Sequence, residues 1–312
     1  PPLLSTPSQA ALPDLGVHAP TPVQTAGIPA IASGRNVALH APTGSGKTLA
    51  FLLPVLDAAI ARAEAEAAAA EAALAAATAA GTKRPPPITP SLQAIIVSPS
   101  RELAMQTTRV AQRLLPDAAR TWVQQCIGGA NPHRQLEALK RARPLVVIGT
   151  PGRLAELSRS GALQSHGAAC LVLDEADQLL APQFREEVGR LADHTGRKLA
   201  VPRQTILVSA TLTPSVVARY GRWCPEPVYV STSMSPDDAA RAGAGGGGAS
   251  APGSPGGSPF VSAPAEDWGW GAPGAAGEAS SPAPTTSSAG GGLTASTDPA
   301  PVLASTLTHA WL

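Results

Sequence analysis

Between residues 32 and 230 the chain repeats one unit: a short run of β-branched and other apolar residues, then a longer segment with helical character. The strand candidates are 36–40, 92–98, 121–127, 145–149, 170–174, 205–209 and 228–230. Several runs are apolar at every position instead of at alternate ones, which suits strands covered on both faces. The helical segments between them are 47–60, 102–115, 132–141, 153–159, 183–192 and 214–221. Strand-then-helix order, repeated this often, permits few folds. It predicts an α/β fold: an open, mostly parallel sheet with helices on both faces and right-handed crossovers. Ligands of such sheets sit beyond the carboxyl ends of the strands, so the residues just after each run are the ones to read for chemistry.

Composition narrows the partners. The 312 residues carry 23 basic against 22 acidic side chains, so no global field attracts a polyanion and a nucleic-acid surface has to be a local patch. The three cysteines, Cys126, Cys170 and Cys224, form no C-x-x-C pair and have no metal-ligand spacing. They are expected to be reduced, buried thiols in an intracellular reducing compartment, with the compartment itself unspecified. The apolar runs are far too short to span a bilayer. A chain that opens Pro1-Pro2-Leu3-Leu4, without methionine, is expected to be a fragment or processed form.

Two of the strand ends carry chemistry. After the run 36–40 comes Ala41-Pro42-Thr43-Gly44-Ser45-Gly46-Lys47-Thr48. Gly44 and Gly46 let successive backbone N–H groups turn inward onto phosphate oxygens, and a helix starting near Lys47 adds its positive end. Lys47 is expected to reach the outer phosphates, and the Thr48 hydroxyl to ligate Mg²⁺. Far downstream, Asp174-Glu175-Ala176-Asp177 closes the run 170–173. Asp174 is placed to hold Mg²⁺, partly through water. Glu175 is placed to orient or deprotonate the attacking water. Asp177 is expected to tie this cluster to Ser209 and Thr211 by hydrogen bonds. Glu175, Asp174 and Lys47 are thus the catalytic candidates.

These segments, in this order, resemble the DEAD-box ATP-dependent RNA helicases. Ala41–Thr48 is similar to the family's motif I, Asp174–Asp177 to motif II, and Ser209-Ala210-Thr211 to the motif III that couples hydrolysis to strand separation. Pro20-Thr21-Pro22-Val23-Gln24 resembles the Q motif, which implies that Gln24 bonds the adenine edge and selects ATP. Pro99-Ser100-Arg101 resembles motif Ia, with serine where threonine is usual, and Gly128-Gly129 and Thr150-Pro151-Gly152-Arg153 resemble the other RNA-facing segments. The resemblance implies a first RecA-like P-loop NTPase domain over residues 1–232, with ATP and Mg²⁺ as cofactors, RNA and a second RecA-like domain in cis as partners, and no membrane. Arg101 and Arg153, each opening a helix after a strand, suit backbone phosphates, and Gly129 suits close approach of a sugar-phosphate chain. None of these segments offers an aromatic stacking platform, so RNA recognition is expected to be independent of sequence. Val17 stands where the family carries an aromatic beside Gly16.

Two segments interrupt the pattern. Residues 61–90 begin mostly as alanine, expected to extend the helix from Lys47, and then run through Gly81 and Pro85-Pro86-Pro87. This is read as a solvent-exposed insertion. Residues 233–304 are rich in Gly, Ser, Pro and Ala and are expected to be a disordered linker. The island Glu266-Asp267-Trp268-Gly269-Trp270 inside it is read as incidental, with a docking peptide for a protein partner as the alternative. Residues 305–312 are read as the start of the second RecA-like domain. An ATP-gated RNA clamp or assembly scaffold, and a DNA-acting or non-helicase P-loop ATPase, are the competing functions.

Overall fold

The computed structural model describes residues 10–80, 82 and 91–232, together with the backbone of Phe260–Val261. The chain divides into two units, Pro1–Pro264 and Ala265–Leu312, and every described residue lies in the first. The expectations for 81, 83–90 and 305–312, and for nearly all of 233–304, fall outside the described residues.

The strands are β1 (Val37–His40), β2 (Ala94–Val97), β3 (Val123–Cys126), β4 (Val146–Gly149), β5 (Cys170–Asp174), β6 (Gln204–Ser209), β7 (Val228–Ser231) and β8 (Phe260–Val261). All pair in parallel, in the order β3-β4-β2-β5-β6-β1-β7-β8. The seven expected strands are present. Phe260–Val261 adds an eighth from within the stretch read as linker, paired with Tyr229 and Val230 of β7.

The helices are α1 (Pro22–Ala32), α2 (Lys47–Ala79), α3 (Arg101–Arg113), α4 (Pro132–Ala142), α5 (Pro151–Arg159), α6 (Ala176–Leu179), α7 (Arg185–His194) and α8 (Pro214–Tyr220). Successive strand residues feed two separate cores. Val37, Leu39, Ile96, Ile148, Val172, Ile206 and Val208 pack with Val23 of α1, Phe51 of α2 and Ala104 of α3. Ala38, Ile95, Val97, Val147, Leu171, Leu173 and Leu207 pack with Leu139, Leu154, Val188 and Val217 of α4, α5, α7 and α8. Uniformly apolar runs are what a sheet sandwiched this way requires. The cysteines are free, Cys126 and Cys224 buried and Cys170 half-buried. Burial pushes each thiol up to about 12, which leaves them unreactive. No described helix is long and apolar enough to cross a membrane.

The alanine-rich stretch does extend the helix from Lys47, which runs unbroken for 33 residues. Its first turn is not a free solvent surface, however. Ala63 is fully buried, and the Glu66 carboxylate accepts from Ser91 N at 2.9 Å, Ser91 Oγ at 2.8 Å and Gln93 Nε2 at 2.8 Å. Those bonds fasten the helix to the chain entering β2. Exposed alanines dominate only beyond that anchor.

At the end of β4 the backbone leaves no room for a side chain. A Cβ on Gly149 would lie 2.0 Å from the Cys126 carbonyl oxygen of β3. Gly149→Ala is therefore expected to spread β3 from β4 and destabilise the domain at the upper end of the about 1–3 kcal/mol typical of overpacking. A thermal midpoint within a degree of wild type would contradict this.

Candidate functional site

Because β6 lies between β5 and β1, three loops come together at the carboxyl end of the sheet. They are the acidic turn after β5, Ser209-Ala210-Thr211 at the end of β6, and the glycine loop after β1. The Ala41 amide donates to the Ser209 carbonyl at 3.3 Å, joining the last two directly.

The loop turns through left-handed backbone at Gly44 (φ 80°) and Gly46 (φ 96°), and α2 starts at Lys47. Lys47 is buried, and its ammonium donates to the carbonyls of Ala41 at 2.8 Å and Pro42 at 3.0 Å. The lysine expected to reach phosphates is thus held by the loop's own carbonyls. The Ser45 hydroxyl is buried without a partner. Thr43 is exposed and Thr48 half-buried. Gln24 is buried: its Oε1 accepts from the Thr21 amide at 3.0 Å, and its Nε2 donates to the Gly46 carbonyl at 3.2 Å. A Cβ on Gly46 would lie 2.5 Å from that Nε2. The residue expected at the adenine edge therefore ties α1 to the glycine loop.

In the acidic cluster each carboxyl has a different environment. Asp174 is buried, and desolvation together with the Glu175 charge pushes it up to about 7, against a bond from the Glu175 amide and the charge of Lys47. Glu175 is half-buried with left-handed backbone, φ 49°, an uncommon conformation for a residue other than glycine. Burial raises its carboxyl too, Lys47 opposes the shift, and Asp177 adds to it. Burial also pushes Asp177 up, but hydrogen bonds from Thr211 and Ser209 outweigh it and hold this carboxyl below its usual range. Ser209 Oγ donates to Asp177 Oδ1 at 2.7 Å, Thr211 Oγ1 donates to Oδ2, and the Thr211 amide donates to Ser209 Oγ at 3.0 Å. Sequence reasoning missed Tyr220, whose buried hydroxyl donates to the Ala176 carbonyl at 2.7 Å and pins the acidic turn to α8.

The donor set fits a phosphate-borne Mg²⁺. Among the described residues no three His, Cys, Asp or Glu side chains gather into a metal-binding group. One buried carboxylate and one hydroxyl suit an ion that keeps its waters and arrives on a phosphate. The unpartnered Ser45 hydroxyl and inward-turned loop suit that phosphate.

The second set of loops follows β3, β4 and β2, which are also consecutive in the sheet. Pro99, Arg101, Gly128, Thr150, Pro151, Gly152 and Arg153 line one open depression of about 390 Å³. Ser100 caps α3, accepting from the Leu103 amide at 3.1 Å. Arg101 is exposed and lies across Gly129 (φ 78°), where a Cβ would sit 2.5 Å from its Nη1. The left-handed backbone at this position is what favours glycine, and the absence of a side chain leaves room for the Arg101 guanidinium.

Arg153 is placed differently from Arg101. It is buried, and it donates from Nε to Gln135 Oε1 at 3.1 Å and from Nη2 to the Pro132 carbonyl at 3.3 Å. Its Nη1 pairs with Glu156 at 2.6 Å. Gln135 in turn donates to the Ile127 carbonyl at 2.8 Å. Arg153 therefore braces α5 against α4 and the Gly128-Gly129 loop. Gln135 carried no signal in the sequence, being one polar residue among many on an amphipathic helix. Phe184, also unforeseen, lines the same depression, so this surface does include an aromatic ring.

A family model for the DEAD/DEAH box helicases matches residues 21–220. Over 228 residues the chain is 43% identical to DEAD-box ATP-dependent RNA helicase 47, mitochondrial, of Arabidopsis thaliana, covering 70% of this chain and 39% of that protein. It is 41% identical to helicase 47B of Oryza sativa subsp. japonica, over 69% of this chain and 37% of that protein. The chain thus spans less than half the length of these relatives. A solved structure of Mss116p bound to ssRNA and AMP-PNP matches at 26% identity with a TM-score of 0.60, over 74% of this chain and 43% of that one. A match that runs from the residue capping α1 to the last residue of α8 takes in both sets of loops, and the chain belongs to the DEAD/DEAH box helicase family.

Proposed function

We propose that this chain is the nucleotide-binding half of an ATP-dependent RNA helicase. It binds Mg²⁺–ATP and an RNA backbone and, with a second RecA-like domain in cis, hydrolyses ATP to ADP and phosphate. The work done is separation of short RNA duplexes or remodelling of RNA–protein complexes. One observation carries this reading. The sheet order puts the glycine loop, the acidic turn and Ser209-Ala210-Thr211 at the ends of β5-β6-β1, beside the loops of Arg101, Gly128-Gly129 and Thr150-Pro151-Gly152-Arg153 at the ends of β3-β4-β2.

On binding ATP, the Lys47 ammonium exchanges the Ala41 and Pro42 carbonyls for phosphate oxygens. Asp174 and Thr48 would hold Mg²⁺, which would supply charge neutralisation at the phosphates. Glu175 accepts a proton from the attacking water at its carboxylate. Asp177, bonded to Ser209 and Thr211, reports the state of the acidic turn to the end of β6. Arg101 and the amino ends of α3 and α5 attract phosphates without reading bases. Arg153 braces the loops that do so, through Gln135, the Pro132 carbonyl and its ion pair with Glu156.

The chain alone is expected to bind Mg²⁺–ATP weakly and to show almost no RNA-stimulated turnover. Arginines supplied by a second domain are worth roughly 10³–10⁵ in rate in related phosphoryl transfers. Nucleotide titration of residues 1–312, followed by phosphate release with and without single-stranded RNA, checks both halves. Robust RNA-stimulated hydrolysis by the chain alone would overturn the need for a second domain. With the chain joined to a second RecA-like domain, equal stimulation by DNA would overturn RNA as the partner.

A further inference from the structure

β1 ends on a histidine that the nucleotide chemistry does not use. His40 is half-buried at the carboxyl end of this interior strand, one residue before the glycine loop. Its Nε2 lies 3.0 Å from the Ala210 carbonyl oxygen, and its Nδ1 lies 3.2 Å from Ser231 Oγ. A carbonyl only accepts, so Nε2 carries the proton, and in the neutral ring Nδ1 accepts from the Ser231 hydroxyl. The imidazole thus reaches from the end of β6 to the end of β7 across β1. The backbone reinforces the junction: the Thr232 amide donates to the His40 carbonyl at 3.2 Å. On one side, Ala210 sits between the two residues whose hydroxyls hold Asp177. On the other, Ser231 is the last residue of β7.

We propose that His40 is a positioning residue that links the Ser209-Ala210-Thr211 segment to the end of β7. A nucleotide-dependent shift in the acidic cluster is thereby passed to the point where the chain leaves the sheet. This inference rests on the nucleotide-binding reading above. Coupling of this kind needs a physical link between two elements that both respond, and one ring bonded to both supplies it. Leucine at this position fills similar space but makes neither bond. Glutamine keeps an N–H donor and a carbonyl acceptor on a side chain of similar reach.

The test uses the 312-residue chain with Mg²⁺ and a non-hydrolysable ATP analogue. ¹⁵N spectra of the histidine ring are expected to show His40 as the Nε2–H tautomer. In wild type, the analogue is expected to raise hydrogen-exchange protection several-fold at 209–213 and at 231–232. His40→Leu should bind the analogue with unchanged affinity and respond at 209–213, but lose the response at 231–232. His40→Gln should restore it. Ser231→Ala removes the hydroxyl that meets Nδ1 and leaves the imidazole in place, and it should also lose the 231–232 response, which keeps the test decisive if His40→Leu does not fold. An Nδ1–H tautomer, or a wild-type response at 231–232 in the leucine or alanine variant, overturns the link. A wild-type chain that binds no analogue sinks the nucleotide reading and the link with it. Binding without any response at 231–232 sinks the link alone.

Discussion

Glu175→Gln is expected to lower RNA-stimulated ATP turnover by about 10²–10⁴-fold, the range for losing a positioned general base, while ATP and RNA affinities stay nearly unchanged. The measurement belongs on the chain joined to a second RecA-like domain, where turnover is high enough to fall. Glu175 is half-buried, and its left-handed backbone sets the direction of its carboxylate. Glutamine keeps the shape and removes the proton acceptor. It also removes a negative charge beside Asp174, the second cause of that residue's raised pKa, so metal-dependent ATP binding should not weaken. Turnover like wild type would show that another group activates the water. Loss of ATP binding would show that Glu175 holds the nucleotide.

Asp174→Asn is expected to abolish detectable turnover and yet stabilise the ligand-free fold. Burial first, and the Glu175 charge second, raise the Asp174 carboxyl to about 7 from its ordinary 3.8. Between those values the folded chain keeps a proton that the unfolded chain has released. By linkage, Asp174 therefore makes stability fall as pH rises through that window, and the full penalty remains above it. Asparagine carries no charge to desolvate. Its advantage in thermal midpoint should be several degrees near pH 8 and close to nothing near pH 4, at the lower edge of the window. A midpoint difference that is flat across this range would mean Asp174 is not held in the environment described. Undiminished turnover would remove it from the metal site.

Much of the site could be read from the sequence because its chemistry is contiguous. Ala41 to Thr48 and Asp174 to Asp177 each hold their functional groups within a few residues, at the end of an apolar run that any parallel sheet would place at its carboxyl edge. The bonds from Ser209 and Thr211 to Asp177 agree with the expectation that Asp177 is tied to that segment. Arg153 shows where local reading fails. Arg101 and Arg153 look alike, each opening a helix just after a strand, yet one lies exposed over Gly129 and the other is buried against Gln135 and Glu156. Only the placement of Gln135 and the Pro132 carbonyl beside Arg153 separates them. The alanine-rich stretch is similar: its helicity is a local propensity, whereas its attachment through Glu66 to Ser91 and Gln93 depends on where β2 begins.

The sequence by itself determined the fold class and put the glycine loop and the acidic turn at strand ends, because periodicity and short-range spacing encode those directly. Tertiary structure alone decided who stands beside whom. Strand order put Ser209-Ala210-Thr211 between the two nucleotide loops, brought Gln24 onto Gly46, buried Arg153, and set His40 between Ala210 and Ser231. The bonded pairs Gln24–Gly46, His40–Ala210 and His40–Ser231 are 22, 170 and 191 residues apart. Their meeting follows from hydrogen-bonded strand pairing and two-sided burial, which no local window of the sequence contains.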